Sequence, residues 1–131
     1  MNIFLDSSAI ISYLKGDGAV RDIIESADKV FTSSLCAFEV LVGENYLQMK
    51  GHKSGGEAAA FLEGTTITNL DERDAEIAAE AQARLIVKGT PQNAMDILIA
   101  ASAARNEAEM ATKDRDYEAI QEVLGFKVRK V

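Results

Sequence analysis

The sequence feature that most constrains the fold is the alternation of short apolar runs with longer segments of helical periodicity. Five runs rich in apolar or β-branched residues predict β-strands: 2–5, 29–32, 65–70, 109–112 and 126–131. Between these runs, the spacing of apolar residues and the capping residues predict helices. The first helix follows the caps Ser7 and Ser8, the third runs from a cap at Ser33 or Ser34 to about Leu47, and the last runs from the cap Asp116 to Leu124. The others are predicted over 20–27, 57–62, 72–88 and 93–105. Because no tight hairpin signal joins the strands, the pattern predicts an α/β fold with a parallel sheet and helices on both faces.

Length and composition are those of an ordinary globular protein. The 131 residues are 47% hydrophobic and 27% charged, which predicts one domain over residues 1–131. No uncharged apolar run approaches the roughly 20 residues of a membrane span, and the N-terminus lacks the basic flank of a signal peptide. We therefore expect a cytoplasmic protein with no membrane contact. One Cys and one His exclude an internal disulfide and a zinc site of the Cys/His type.

The net charge of −7 has the wrong sign for a simple nucleic-acid binder, which presents Lys and Arg to phosphate. Carboxylates that converge on one spot would change this expectation, since they bind divalent cations that then set the local field.

Acidic residues follow two of the predicted strands. Asp6 comes directly after the first strand, and Asp114 and Asp116 come shortly after the strand at 109–112. In open parallel sheets, sites form beyond the carboxyl ends of the strands, near a switch in strand order. One Asp after a strand is often only a helix cap, and that interpretation covers Asp116 better than Asp114.

Two further acids stand in helices that are otherwise apolar. Glu39 lies in the stretch 35–42, and Asp96 lies near the start of the nearly all-apolar stretch 93–104. A carboxylate close to a core is unfavourable unless it has a partner. The helix dipole stabilises an acid in the first turn by only about 0.3–1 kcal/mol. Oxygen ligands without His or Cys select Mg²⁺ or Mn²⁺, so the acids indicate a magnesium or manganese site.

These stretches together resemble the PIN-domain family, and within it the toxin ribonucleases of the VapC type. The matching stretches run in the family's order and span nearly the whole chain: Ile3–Ser8, Ser34 followed by Glu39, Asp96–Ala103 and Ala111–Tyr117. The resemblance implies a three-layer α/β/α sandwich around a parallel sheet of about five strands.

The resemblance also implies roles for individual residues. Asp6, Glu39, Asp96 and Asp114 fall on the acidic quartet that binds Mg²⁺ or Mn²⁺, and Asp116 falls on an additional acid close to the metals. Ser8 and Thr112 fall on hydroxyl positions that orient those carboxylates. The implied activity is endonucleolytic cleavage of single-stranded or loop RNA by metal-activated water, which leaves 5′-phosphate and 3′-hydroxyl ends. The implied partners are a small antitoxin that covers the site and a second copy of the chain in a homodimer.

An RNA groove also needs cations. The candidates near the expected site are Lys15, Lys113 and Arg115, with Lys50 and Lys53 beside a glycine-rich loop at 51–56. The alternative is that these side chains are ordinary solvated surface.

Two other functions stay open at this point. The first is a PIN fold that has lost catalysis and serves as an interaction module. The second is another doubly wound protein, such as a phosphoacceptor receiver or an Asp-x-Asp phosphatase, but Asp6-Ser7-Ser8 lacks the second acid. We further expect an exposed acidic face on the helix at 72–88, formed by Glu72, Asp74, Glu76 and Glu80.

Overall fold

The structure, a computed structural model, describes residues 1–53 and 55–131. In these residues it contains five strands: β1 Asn2–Leu5, β2 Lys29–Ser33, β3 Thr66–Thr68, β4 Glu109–Thr112 and β5 Val128–Lys130. The same residues form seven helices: α1 Ser7–Leu14, α2 Gly18–Ser26, α3 Ser34–Met49, α4 Glu57–Glu63, α5 Glu72–Val87, α6 Ala94–Arg105 and α7 Tyr117–Leu124. Ser54 of the predicted loop at 51–56 lies outside the described residues.

All neighbouring strands of the sheet run parallel, in the order β3-β2-β1-β4-β5. The central strand β1 places Phe4 opposite Phe31 of β2 on one side and opposite Met110 of β4 on the other. The chain therefore builds outward from β1 in one direction, then returns to add β4 and β5 on the other side. The predicted parallel five-stranded sheet is confirmed.

Side chains of β1 alternate between two hydrophobic cores, one on each face of the sheet. Phe4 packs with residues of α5, α6 and α7, whereas Ile3 and Leu5 pack with residues of α1, α2 and α4. Because the central strand is covered on both faces, its sequence is a continuous apolar run. This arrangement confirms the predicted three-layer α/β/α sandwich.

The two edge strands are shorter than predicted. We expected strands over 65–70 and 126–131, but β3 and β5 each contain three residues. Each edge strand pairs with only one neighbour, and three residues of β3 are matched to three of β2. Apolar and β-branched residues beyond the paired segment therefore lie outside the strands.

The helical spacing of Leu35, Phe38, Leu41, Val42 and Leu47 predicts an apolar stripe on α3 that faces the core, and this prediction is wrong in part. Phe38, Val42 and Leu47 belong to the predicted stripe, yet all three are exposed, Phe38 by 59%. The buried residues of this helix are the smaller Cys36, Ala37 and Val40. Small side chains allow α3 to pack closely, whereas Phe38, Val42 and Leu47 remain exposed.

The acidic face predicted for α5 also needs one correction. Glu72, Glu76 and Glu80 are exposed as expected, but Asp74 is fully buried. Its carboxylate accepts two hydrogen bonds from Arg105 of α6, at 2.7 and 3.1 Å, and one from the backbone N–H of Asp71 at 3.0 Å. The buried charge is thus paired, which ties the start of α5 to the end of α6.

No helix within the described ranges combines the length and the apolar composition needed to cross a bilayer.

Replacing Asp74 by Asn is expected to lower the free energy of unfolding by about 2 kcal/mol, because the Arg105 side chain, which is 25% exposed, loses its buried carboxylate partner and keeps only the exposed Asp71 at 3.6 Å. Urea unfolding followed by circular dichroism measures the loss. The matched control is Glu80→Gln, which removes an exposed pair with Arg84 and should change stability little. Equal stability of both variants would show that the buried pair contributes nothing.

Candidate metal centre

The acidic residues lie beyond the carboxyl ends of β1 and β4, the two strands at which the strand order reverses. Asp6 directly follows β1, and Asp114 lies two residues after β4. Since β1 and β4 are hydrogen-bonded neighbours, their ends deliver these residues to the same edge of the sheet. This is the position at which open α/β sheets bind ligands.

Asp6 is held by hydrogen bonds to both of its carboxylate oxygens. Oδ1 accepts the backbone N–H of Ala9 at 2.9 Å and the hydroxyl of Ser8 at 2.7 Å, while Oδ2 accepts the hydroxyl of Thr112. Asp6 is therefore the N-cap of α1, a role that we had assigned to Ser7 and Ser8. The N-cap hydrogen bond uses only Oδ1 of Asp6, so Oδ2 can accept the hydrogen bond from Thr112 at the end of β4.

The hydroxyls of Ser8 and Thr112 connect Asp6 to the segment that carries Asp114. Thr112 Oγ1 accepts the backbone N–H of Asp114 at 2.9 Å, and Ser8 Oγ accepts that of Lys113 at 3.0 Å. The two hydroxyl oxygens lie 3.3 Å apart. Both residues contact Asp6, which is the position expected for hydroxyls that orient it; their functional role stays a prediction.

Three carboxylates lie close together where α6 meets the segment that follows β4. Asp96, Asp114 and Asp116 each offer an oxygen within 4.8 Å of the others. Asp114 Oδ1 accepts the backbone N–H of Asp116 at 2.9 Å, which folds this segment into a tight turn. Asp116 occupies the N-cap position of α7, but among the described residues its carboxylate caps no N–H. The predicted cap is thus absent there, and this acid instead lies beside Asp96 and Asp114.

Glu39 reaches the same region from α3. Burial is the main cause that raises the pKa of Glu39. A hydrogen bond from the side chain of Ser7 acts against it, and the charges of Asp6 and Asp114 raise the pKa further. Sequence reasoning did not identify Ser7 as a partner of Glu39. The only signal for this role in the sequence is that two hydroxyl residues, Ser7 and Ser8, follow Asp6, and both were interpreted as helix caps.

Burial and mutual repulsion determine the electrostatics of the site. Burial is the main cause that raises the pKa of Asp6, although three hydrogen bonds act in the opposite direction. The pKa of Asp96 rises to about 6, through burial first and then through the charges of the four other acids: Asp114, Asp116, Glu39 and Asp6. The predicted quartet is therefore close enough in space for its charges to interact.

Within residues 1–53 and 55–131, no Lys or Arg forms an ion pair with any of these five acids. A group of partly buried carboxylates with unfavourable charge repulsion and no protein cation fits a hard divalent ion, because Mg²⁺ and Mn²⁺ prefer carboxylate oxygens. The residues present thus suit the expected metal.

Two neutral groups lie close to Asp6 from the side of the core. Burial raises the pKa of the Cys36 thiol to about 11 and raises that of Tyr117, and the charge of Asp6 contributes to both shifts. Both side chains therefore stay protonated at neutral pH. A buried thiol of this kind is not a nucleophile.

The three candidate RNA-binding cations expected near the site, Lys15, Lys113 and Arg115, differ in their surroundings. The Lys113 ammonium pairs with Asp17 at 3.1 Å and donates to the carbonyl of Val131 at 3.2 Å. Arg115 is exposed between Asp114 and Asp116, and Lys15 follows the far end of α1, about 13 Å from Asp6 along the helix axis. No ion pair of Lys15 or Arg115 is present in the described part of the chain. Their contact with RNA stays a prediction.

Comparisons with known proteins give one family and many structural neighbours. The sequence profile of the PIN domain matches residues 3–123. VapBC2 from Rickettsia felis, solved with a DNA fragment from its promoter, is similar to the chain with a TM-score of 0.78 and 16% identity, covering 99% of this chain and 98% of that one. VapBC-5 from Mycobacterium tuberculosis has a TM-score of 0.72 and 23% identity over 99% and 98%.

A third neighbour is the toxin VapC20 from Mycobacterium tuberculosis, which cleaves the sarcin–ricin loop. It has a TM-score of 0.63 and 18% identity over 89% of this chain and 93% of that one. At these identities the three neighbours establish the fold. No curated protein matches the chain in sequence.

Replacing Asp96 by Asn is expected to stabilise the metal-free protein at neutral pH. The raised pKa of about 6 means that folding holds a proton on Asp96 between about pH 4 and pH 6, so stability falls as pH rises through that window. Above it, the variant should be more stable by on the order of 1 kcal/mol, a small value because solvent screens this half-exposed group.

Urea unfolding at pH 4 and pH 7.5 with EDTA tests this expectation. The two proteins should differ at pH 7.5 and converge at pH 4. Asp22→Asn, which changes an exposed acid of α2, is the matched control and should have no effect at either pH. A wild-type protein as stable as Asp96→Asn at pH 7.5 would contradict the proposed repulsion.

Proposed function

Since this chain belongs to the PIN-domain family, we propose that it is a Mg²⁺- or Mn²⁺-dependent endoribonuclease that cleaves single-stranded or loop RNA. We further propose that it is the toxin of a toxin–antitoxin pair and acts in the cytoplasm as a single domain of residues 1–131. The observation that carries the activity is the convergence of Asp6, Glu39, Asp96 and Asp114 at one edge of the sheet, with pKa values of the first three raised by burial and shared charge.

Each acid has a stated part in this proposal. Asp6, Glu39, Asp96 and Asp114 hold the metal, and Asp116 adds a fifth carboxylate beside two of them. A dication held by these acids would supply water activation and would offset charge on the scissile phosphate. Ser8 and Thr112 keep the carboxylate of Asp6 in one orientation through their hydrogen bonds. With a pKa of about 6, Asp96 is already mostly ionised at neutral pH, which is the form in which carboxylates bind metals.

The acidic surface of the protein makes local cations necessary for RNA binding. Lys113 and Arg115 flank Asp114 in the sequence, and both are exposed at the site edge. We propose that they contact RNA phosphates, with Lys15 at a greater distance. Hydrolysis would leave 5′-phosphate and 3′-hydroxyl ends, as the PIN resemblance implies. The similar fold of VapC20, a toxin that cleaves an RNA loop, supports RNA as the substrate class.

Asp6→Asn and Asp96→Asn should each reduce the rate of Mg²⁺-dependent cleavage of a single-stranded RNA by more than about 100-fold. Loss of a residue that only supports a metal ligand costs about 10–100-fold, and loss of a ligand itself should cost more. The measurement is the rate of cleavage of an end-labelled RNA with Mg²⁺ and with EDTA, with the cut sites mapped. Asp22→Asn is the control and should cleave at the wild-type rate. Far-ultraviolet circular dichroism verifies that each variant is folded.

Undiminished Mg²⁺-dependent cleavage by both variants would reject the proposed site. A catalytically silent interaction module is the alternative function. It is favoured if the wild-type protein neither cleaves RNA nor binds Mn²⁺ at millimolar concentration in calorimetry.

The outer face of α3 supports a protein partner. Phe38, Val42, Tyr46 and Met49 recur at a spacing of three or four residues, so they share one side of the helix, and Met49 is 85% exposed. We name this row of four exposed residues the α3 apolar surface. A separate groove of about 320 Å³ lies on another side of the helix, where Ile11, Val40 and Leu47 line it together with the charged Lys15, Glu44 and Glu57.

Exposed apolar surface of this extent is typical of protein interaction sites. The α3 apolar surface begins at the residue next to Glu39, so a segment bound there reaches the acidic edge. We propose that a small antitoxin occupies this surface and blocks the site. The structural similarity to toxin–antitoxin complexes supports this choice of partner. We also propose that the chain forms a homodimer.

Light scattering on a sizing column tests both associations. The chain alone is expected at twice its 14.1 kDa mass, and at a larger mass with the small protein encoded by the neighbouring reading frame. Val42→Glu should prevent the larger species, because it places a charge in the α3 apolar surface. Val87→Glu, at a still more exposed position at the end of α5, should still form it. A 14.1 kDa species at working concentration would contradict the dimer, and a complex that tolerates Val42→Glu would contradict the docking surface.

A further inference from the structure

The side-chain amide of Gln82 on α5 clamps the loop that leads into α6. Its Nε2 donates to the backbone carbonyl of Gln92 at 2.6 Å, and its Oε1 accepts the backbone N–H of the same residue at 3.1 Å. One amide thus satisfies both backbone groups of Gln92. Only Gln or Asn presents a donor and an acceptor side by side in this way.

The clamped residue is directly connected to an acid of the site. Gln92 precedes Asn93, the N-cap of α6, whose Oδ1 accepts the backbone N–H of Met95 at 2.9 Å and that of Asp96 at 3.3 Å. The positions of three consecutive groups are therefore linked: the Gln82 amide, the Gln92 backbone and the Asn93 cap. The last of them holds the backbone of Asp96.

A second contact joins the same two helices at their other ends. The ion pair of Asp74 and Arg105 fixes the end of α6, about 13 Å along the helix from Asp96. The pair of Gln82 and Gln92 fixes its beginning, where the acid is. Loss of the Asp74–Arg105 pair weakens the packing of α5 on α6, whereas loss of the Gln82–Gln92 pair also frees the turn that carries Asp96.

We propose that Gln82 is a positioning residue, which sets the place of the Asp96 carboxylate in the metal site through the backbone of Gln92 and the cap of Asn93. This inference rests on the proposed function, since it requires Asp96 to be a metal ligand. Gln82 contacts neither the metal nor RNA. Its effect is to limit the positions that the first turn of α6 adopts before the ion binds.

The experiment measures Mn²⁺ affinity by calorimetry for the wild-type protein and for Gln82→Met, which keeps the length of the side chain and removes both hydrogen bonds. We expect the dissociation constant for Mn²⁺ to rise by about 10-fold. Gln82→Glu, which keeps the acceptor and removes the donor, should also weaken binding. Gln48→Met, in an exposed position of α3, is the matched control and should bind as the wild type does.

Three further measurements separate positioning from stability. Asp74→Asn lowers the stability of the same helix pair, but it should leave the Mn²⁺ dissociation constant within about 2-fold of the wild-type value. In an Asp96→Asn background, Gln82→Met should have no additional effect on Mn²⁺ binding, because its target is already absent. Amide hydrogen exchange at residues 92–96 should be faster in Gln82→Met.

Unchanged Mn²⁺ affinity of a folded Gln82→Met protein would overturn the positioning role and leave the proposed function intact. Equal weakening by Asp74→Asn and Gln82→Met would also overturn it, since the effect would then be one of general helix packing. A wild-type protein that binds no Mn²⁺ would overturn the proposed function, and with it this role of Gln82.

Discussion

Repulsion among carboxylates at the ends of two neighbouring parallel strands is the constraint on which the site depends. Five acids lie at this edge, and three of them have pKa values raised by burial and by one another. Within the described residues, none of them pairs with a Lys or Arg. Because the carboxylates repel one another, other contacts must hold them in place. Their unpaired negative charge makes the five acids suited to bind a dication.

Those contacts come from hydroxyl, amide and backbone groups rather than from cations. Ser8 and Thr112 hold Asp6, Ser7 holds Glu39, and Asn93 holds the turn of Asp96. Neutral partners fix the geometry without neutralising the charge. The negative charge and the arrangement of the carboxylates are therefore in place before the proposed ion binds.

Much of the fold and of the acidic set could be predicted from the sequence. Strand 2–5, strand 109–112 and the main helices follow from periodicity, and the unusual positions of Asp6, Glu39 and Asp96 stand out against apolar surroundings. Prediction failed where a residue's surroundings depend on another element. Asp74 looked like an exposed acid of its own helix and is buried against Arg105, whereas Phe38 looked like core and is exposed.

The sequence by itself determined the order of strands and helices, the parallel pairing and the identity of the acids, because these depend on local periodicity and on side-chain chemistry. The tertiary structure alone decided which strands are neighbours, and hence that Asp6 and Asp114 share one edge although 108 positions separate them. It also decided which neutral groups hold the acids, including Gln82 acting through Gln92. The physical reason is that hydrogen bonds and burial depend on distances in space, which the spacing along the chain does not specify.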